Sequence, residues 1–150
     1  SWGSVTAPGG RTFWAAPFEI DGEFGGLGPA GLTAGPDDWG RAKAPAQARN
    51  TTIACVATDV ALTPAQARRV AIMAQDGLAR AIRPLHAPFD GDVVFAISTA
   101  ARPLPDAADY TVARLGALAA DTLARAVARA VYEATPWPGS DVVCWRDLGA

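Results

Sequence analysis

The sequence has few of the side chains that bind metal ions or form cross-links. Histidine occurs once, as His86, and the two cysteines, Cys55 and Cys144, are far apart in the chain. A protein zinc site needs three or four such ligands, so we predict neither a metal nor a cofactor. Because each cysteine lies within an apolar run, we predict buried free thiols rather than a disulfide, which agrees with a cytoplasmic location.

Neither acidic nor basic side chains are present in large excess. The chain has 13 basic and 15 acidic side chains and a net charge of -2, and the two signs are interspersed. Without a basic run, no nucleic-acid partner is predicted. The longest apolar stretch, residues 110–132, contains Arg114, Asp121, Arg125 and Arg129, too many charges for a bilayer crossing. With 150 residues, half of them hydrophobic, the chain is predicted to be one soluble domain.

The first 50 residues have an irregular pattern. The chain starts at Ser1 and its only methionine is Met73, so we expect a piece of a longer protein. Residues 4–6 and 11–20 are predicted strands, separated by the turn signal APGG. From about residue 25 to 50 the chain is rich in glycine, proline and alanine and has no hydrophobic period, which predicts a flexible connector.

From Thr51 onward the pattern becomes regular. Residues 52–60 predict an apolar strand, and a helix is predicted to follow as far as about Arg83. Thr63 supplies its N-cap, Pro64 its first position and Gln66 the glutamine of a capping box.

A second strand is predicted at 93–99, a second helix at about 107–134 and a final strand at 141–145. The resulting order, β, α, β, α, β, is typical of helices packed on a sheet. The predicted buried stripes are Val70, Met73, Ala74, Leu78, Ala81 and Ile82 in the first helix and Val112, Leu115, Leu118, Leu123, Val127 and Val131 in the second.

The junction Asn50-Thr51-Thr52 lies where the connector meets the first regular strand. A threonine hydroxyl is a weak nucleophile unless a base removes its proton. His86 is interpreted as a loop histidine, because the chain has no G-x-S-x-G motif for it to serve. Cleavage between Asn50 and Thr51 would instead give Thr51 an α-amine with a pKa of about 7.7 to 8.0, able to act as base for its own hydroxyl. By itself, the pattern favours an ordinary polar start of a strand.

Residues 50–100, from NTTIACVATDV to DGDVVFAISTA, together with GSVTAPGGRTFWAAPFEI near the start, resemble the DmpA-type aminopeptidase family. Its members are self-processing N-terminal-nucleophile amidases that include β-aminopeptidases, and the likeness is greatest to the branch that hydrolyses 6-aminohexanoate (nylon) oligomers. The resemblance implies an α/β/β/α sandwich, of which this chain supplies the C-terminal part. Residues 1–50 would end the α subunit, 51–150 would form the β subunit, and the αβ units would assemble into a tetramer.

The resemblance also assigns site residues. Asn50 would precede the cut, Thr51 would be the nucleophile, and Asp90 and Asp92 would be the acidic pair that orients the new amine. Without the resemblance, the ordinary interpretation of this Asp-Gly-Asp run is an exposed turn. The family's lysine and its oxyanion-binding asparagine are expected upstream of Ser1, since Lys43 matches no family motif, so the isolated chain is expected to be inactive.

Four functions remain open. The first is hydrolysis of 6-aminohexanoate oligomers through an acyl-enzyme, and the second is a β-aminopeptidase or D-amino-acid amidase of the same family. The third is a non-catalytic fragment or assembly subunit, and the fourth is an acyltransferase that uses the same threonine. The expected partners are a small amide or oligoamide substrate, the remainder of the α subunit and further copies of the protein.

Overall fold

The computed structural model describes residues 1–38 and 51–148. Two strands and two helices alternate along the chain: β1 (Ile53–Val60), α1 (Pro64–Ala81), β2 (Val93–Arg102) and α2 (Ala108–Glu133). Two single turns of 3-10 helix lie outside this unit, at Ala16–Phe18 and Trp145–Asp147. The predicted mixed α/β class is therefore confirmed.

The two strands form a parallel pair connected through α1. Ile53 lies opposite Val93, and the register continues without a break to Thr58 opposite Ser98. In a parallel pair the strands begin at the same edge of the sheet. The residues just before β1 therefore lie beside the residues just before β2, although they are about 40 positions apart in the sequence.

Helix α1 begins as its sequence predicts. The Thr63 side chain accepts a hydrogen bond from the Gln66 main-chain N–H, the Gln66 side chain accepts one from the Thr63 N–H, and Pro64 occupies the first turn. The helix ends at Ala81, two residues before the predicted end. The predicted stripe is buried except for Met73, which is half-buried.

Small residues set the contact between the helices. A Cβ added to Gly77 of α1 would collide with the main-chain carbonyl of Ala120 in α2, so the two helix backbones are in close contact there. The predicted α2 stripe is correspondingly wrong in part: Leu118 is 56% exposed, although Val112 and Leu123 are buried. Large side chains do not fit where backbones approach so closely, and small residues replace them. The buried small residues of α2 are Gly116, Ala120, Ala124 and Ala128.

The final strand predicted at residues 141–145 is wrong. Residues 141–144 have no strand pairing, and Trp145 begins a 3-10 turn. This places the Trp145 ring 5.1 Å from the Phe13 ring, stacked on it, while its indole N–H donates a 2.9 Å hydrogen bond to the Arg11 carbonyl. Packing of this one aromatic side chain, rather than strand propensity, determines the local backbone.

The two strands predicted near the N-terminus are not formed, and only two isolated β-bridges are found there. Ser4 pairs with Arg83 and Thr6 with Phe13, and the Pro17 region forms the first 3-10 turn instead of a strand. Proline removes a main-chain donor and fixes φ, which explains why the second predicted strand stops near its start.

The predicted burial of both thiols is also wrong. Cys55 is exposed and Cys144 is half-buried. Cys55 lies on the face of β1 that points away from the helices, together with Ile53, which is 70% exposed. On β2, Phe95 and Ile97 are 55% and 53% exposed on the same face. Side chains alternate between the two faces of a strand, and α1 and α2 cover only the other face.

The described residues form one two-stranded sheet, and the four-layer sandwich stays a prediction. Residues 25–38 contain turns but neither a strand nor a helix, whereas residues 39–50 of the predicted connector lie outside the described residues. Within the part of the chain that the structure describes, no helix is long and apolar enough to cross a membrane.

Candidate active site

The candidate site lies at the edge of the sheet where both strands begin. Thr51 and Thr52 precede β1, and Asp90, Gly91 and Asp92 precede β2. A Cβ placed on Gly91 would lie 2.8 Å from Thr51 Oγ1, so the Thr51 hydroxyl packs directly against the glycine backbone. The parallel register thus brings the predicted nucleophile and the predicted acidic pair together.

Asp92 is the buried charge of this site, not an exposed turn residue. None of its side chain is exposed. Oδ1 accepts hydrogen bonds of 2.9 Å from the Thr52 main-chain N–H and from the Ser1 nitrogen. The Ser1 nitrogen is an amino group in this chain; in a longer chain it would be a main-chain N–H that donates without the positive charge. Asp92 therefore holds the backbone of the residue next to Thr51.

The pKa of Asp92 lies below its ordinary value. Burial raises this pKa, but hydrogen bonds from the Ser1 amino group and from the Thr52 N–H, with the positive charge on Ser1, lower it by more. Of these causes, the hydrogen bond from the Thr52 N–H does not depend on the charge of Ser1, and it favours the ionised carboxylate.

Asp90 has a different set of partners. Its Oδ2 accepts 3.2 Å hydrogen bonds from the main-chain N–H groups of Trp2 and Ala87. Its other oxygen is buried and has no hydrogen-bond partner among the described residues. Asp90 thus connects the loop before β2 to the N-terminal segment, whereas Asp92 connects that loop to the start of β1.

Thr52 is held by hydrogen bonds, whereas Thr51 is exposed. The Thr52 hydroxyl accepts a 2.9 Å hydrogen bond from the Ser1 nitrogen, and its carbonyl accepts one of 2.9 Å from the Val93 N–H. With its own N–H bound to Asp92, Thr52 is fixed at all three polar positions. Thr51 is exposed and lies at the end of this fixed segment.

His86 lies at the site, although the sequence indicated only a loop histidine. Its Nδ1 is 3.4 Å from Asp92 Oδ2, and its backbone has a left-handed φ of 55°. The only signals in the sequence were its position six residues before Asp92 and the two flanking prolines, Pro84 and Pro88.

A cavity of about 680 Å³ opens beside Thr51. Its wall is formed by the N-terminal segment, the start of β1 and the C-terminal half of α2, and it is largely apolar. Among residues 1–38 and 51–148, no group of three or more His, Cys, Asp or Glu side chains could hold a metal ion. Asn50 and Lys43 lie outside the described residues.

Several proteins of known sequence match part of the chain. An uncharacterized aminopeptidase of Mycobacterium leprae (strain TN) is 48% identical over 117 residues, which cover 72% of this chain and 32% of the relative. One of Mycobacterium tuberculosis (strain ATCC 25618 / H37Rv) is 48% identical over 108 residues, covering 66% of this chain and 31% of the relative. The 6-aminohexanoate-oligomer endohydrolase of Kocuria sp. (strain KY2) is 33% identical over 91 residues, covering 56% and 26% respectively.

The chain spans about a third of the length of the two mycobacterial relatives. The model of peptidase family S58 matches residues 20–143, which include both strands, both helices and the candidate site. This match confirms the resemblance found in the sequence. The chain belongs to peptidase family S58, the DmpA family.

Proposed function

We propose that the full-length protein is a self-cleaving amide hydrolase and that Thr51 is its nucleophile. The observation that carries this proposal is the position of Thr51: an exposed threonine whose hydroxyl packs against Gly91, directly before a residue anchored by the buried carboxylate of Asp92. An N-terminal threonine needs a fixed backbone and an accessible side chain, and the anchored Thr52 and the exposure of Thr51 support the proposal.

The proposed reaction begins with the cut between Asn50 and Thr51. Thr51 Oγ1 attacks the Asn50 carbonyl carbon, the C–N bond breaks, and the hydroxyl proton passes to the Thr51 nitrogen as an ester forms. Water then hydrolyses the ester, which releases the Asn50 carboxylate and leaves Thr51 with a free α-amine. That amine is the base for the Thr51 hydroxyl in every later turnover.

In turnover, the amine takes the hydroxyl proton while Oγ1 attacks the carbonyl of a substrate amide. The amine product leaves with that proton, and water hydrolyses the resulting acyl-enzyme. Asp92 holds the Thr52 N–H and thereby the direction of the chain at Thr51, and its negative charge stabilises the protonated amine. Asp90 holds the loop that carries Asp92.

The proposed substrates are linear amides of short aliphatic amino acids. The relatives are named as aminopeptidases and as 6-aminohexanoate-oligomer endohydrolases, and the apolar wall of the cavity suits an aliphatic chain. Two substrate classes follow, namely 6-aminohexanoate oligomers and peptides with a free N-terminal residue, including β-amino acids. The higher identity to the aminopeptidases favours the second class, so both belong in the assay.

The proposed partners follow from the exposed apolar face of the sheet. Ile53, Phe95 and Ile97 are each at least half exposed on one face, as expected for a surface that a further layer of the protein covers. We assign that layer to the remainder of the α subunit and place the assembled enzyme, a homo-oligomer of αβ units, in the cytoplasm.

Intact-mass measurement of the purified full-length protein tests the nucleophile. We expect two chains, of which the smaller begins Thr-Thr-Ile-Ala by Edman sequencing. Thr51→Ala should give one uncut chain, because no hydroxyl remains at the attacking position. Thr52→Ala is the matched control and should still be cut at the same bond. A cut at another bond, or normal cutting of Thr51→Ala, would show that Thr51 is not the nucleophile. An uncut parent protein would favour a non-catalytic assembly subunit.

A further inference from the structure

The two oxygens of the Asp92 carboxylate have unequal surroundings. Oδ1 has two donors, the Thr52 N–H and the Ser1 nitrogen. Oδ2 is buried and has no hydrogen-bond partner within the described residues. A buried carboxylate oxygen without a donor is unfavourable, and the large majority of buried side-chain polar atoms in folded proteins have a hydrogen-bond partner.

The His86 imidazole is placed to supply the missing donor. Nδ1 is 3.4 Å from Oδ2, slightly beyond the usual range of an N–H···O hydrogen bond. Both the imidazolium and the neutral tautomer with hydrogen on Nδ1 can donate there.

The backbone around His86 is held in an uncommon conformation. Its φ of 55° lies in the left-handed region, where residues other than glycine are infrequent. The next residue, Ala87, donates its N–H to Asp90, so one member of the acidic pair fixes the backbone beside the histidine that faces the other. Uncommon backbone conformations held by their surroundings are frequent at functional sites.

We propose that His86 is a positioning residue that acts through Asp92. Its Nδ1–H donates to Asp92 Oδ2 and orients the carboxylate, so that Oδ1 keeps the Thr52 N–H and thus the direction of Thr51. His86 itself does not contact the substrate. The inference rests on the proposed function, because it assigns His86 to the same threonine site.

The test compares His86→Asn with His86→Gly in the full-length protein. Both residues tolerate a left-handed backbone, but only asparagine retains a side-chain N–H near the Nδ1 position. We expect His86→Asn to keep kcat within about threefold of the parent. We expect His86→Gly to lower kcat and the rate of self-cleavage by about tenfold to a hundredfold, with KM unchanged, because the nucleophile is displaced while the substrate pocket is intact.

Added imidazole provides a second measurement. The His86 side chain is 43% exposed, so imidazole from solvent can enter the space left in His86→Gly and should restore part of kcat. Parent-like kcat in His86→Gly would overturn the inference. So would an Asn variant as slow as the Gly variant, because a donor alone would then be insufficient.

Thr51→Ala in the same assays separates this inference from the proposed function. If Thr51→Ala still cleaves itself and hydrolyses amides, the proposed nucleophile is wrong and the inference fails with it. If Thr51→Ala is inactive while His86→Gly is fully active, only the role of His86 is wrong.

Discussion

Two regions of this protein are buried by different means. Residues 53–133 form the β1-α1-β2-α2 unit, in which small residues let the helices pack closely on each other. Residues 1–38 contain only one turn of 3-10 helix and two isolated bridges. Even so, Phe13 is 2% and Phe24 1% exposed, because their rings pack on each other and Phe13 stacks on Trp145. A segment without regular structure can therefore contribute to the core through a few aromatic anchors.

The two regions also contribute differently to the candidate site. The side chains of Thr51, Asp90 and Asp92 belong to the regular unit or border its strands. The N-terminal segment contributes main-chain nitrogens instead: that of Ser1 to Asp92 and that of Trp2 to Asp90. The side chains of the proposed chemistry thus belong to one region, and the other region contributes main-chain nitrogens to the candidate site.

The largest expected effect on stability comes from removing Phe13, the aromatic anchor of the N-terminal segment. Phe13→Ala should lower the free energy of unfolding by about 3 to 5 kcal/mol, because it removes a buried ring and leaves a cavity against Trp145. Urea denaturation measures this change. Leu27→Ala, at a side chain that is 52% exposed, is the control and should cost less than about 1 kcal/mol. A small effect of Phe13→Ala would mean that the segment is only loosely attached to the regular unit.

An intermediate effect is expected on activity at the edge of the sheet. Gly91→Ala forces the Thr51 hydroxyl to move, and a misplaced nucleophile costs about a hundredfold in rate. Self-cleavage and amide hydrolysis by the full-length protein should both slow.

Gly10→Ala is the matched control for Gly91→Ala. A Cβ at Gly10 would meet nothing closer than 3.8 Å, and this variant should keep the parent rate. Parent-like rates in Gly91→Ala would show that the close packing of Thr51 on Gly91 is not needed for the reaction.

The smallest effect is expected at the polar contact between the two regions. Glu23 of the N-terminal segment accepts hydrogen bonds from the Arg125 guanidinium of α2, one of them 3.2 Å long. These bonds hold the pKa of Glu23 below its ordinary value of 4.5, although burial opposes the shift. Glu23→Gln should lower the free energy of unfolding by about 1.5 kcal/mol at neutral pH.

The pH dependence of this loss has a definite sign. A lowered carboxylate pKa stabilises the fold above the ordinary value of 4.5, and this contribution is lost as the pH falls through the lower pKa of the folded state. Unfolding curves of parent and Glu23→Gln should therefore converge in acid. Glu133→Gln, which breaks an exposed pair with Arg146, is the control and should change stability by less than about 1 kcal/mol at any pH. Equal losses of unfolding free energy in both variants would show that the Glu23–Arg125 pair stabilises the fold no more than an exposed ion pair does.

The sequence by itself predicted the regular unit. Helix α2 was predicted at about 107–134 and is found at Ala108–Glu133, and the cap of α1 at Thr63 is confirmed. Such elements are predictable because hydrophobic periodicity and capping are local properties of the chain. The family resemblance, also found in the sequence alone, singled out Thr51, Asp90 and Asp92.

The structure near the C-terminus, the exposure of Cys55 and the contacts at the candidate site depend on tertiary packing, which local sequence patterns do not encode. The strand predicted at 141–145 is absent because Trp145 packs into the aromatic core, and Cys55 is exposed because the helices cover the other face of β1. The contact of Gly91 with Thr51 depends on the parallel register of β1 and β2. The approach of His86 to Asp92 occurs within one loop, in which His86 has a left-handed backbone. Contacts between residues distant in sequence are set by strand pairing and packing, so periodicity and propensity carry no information about them.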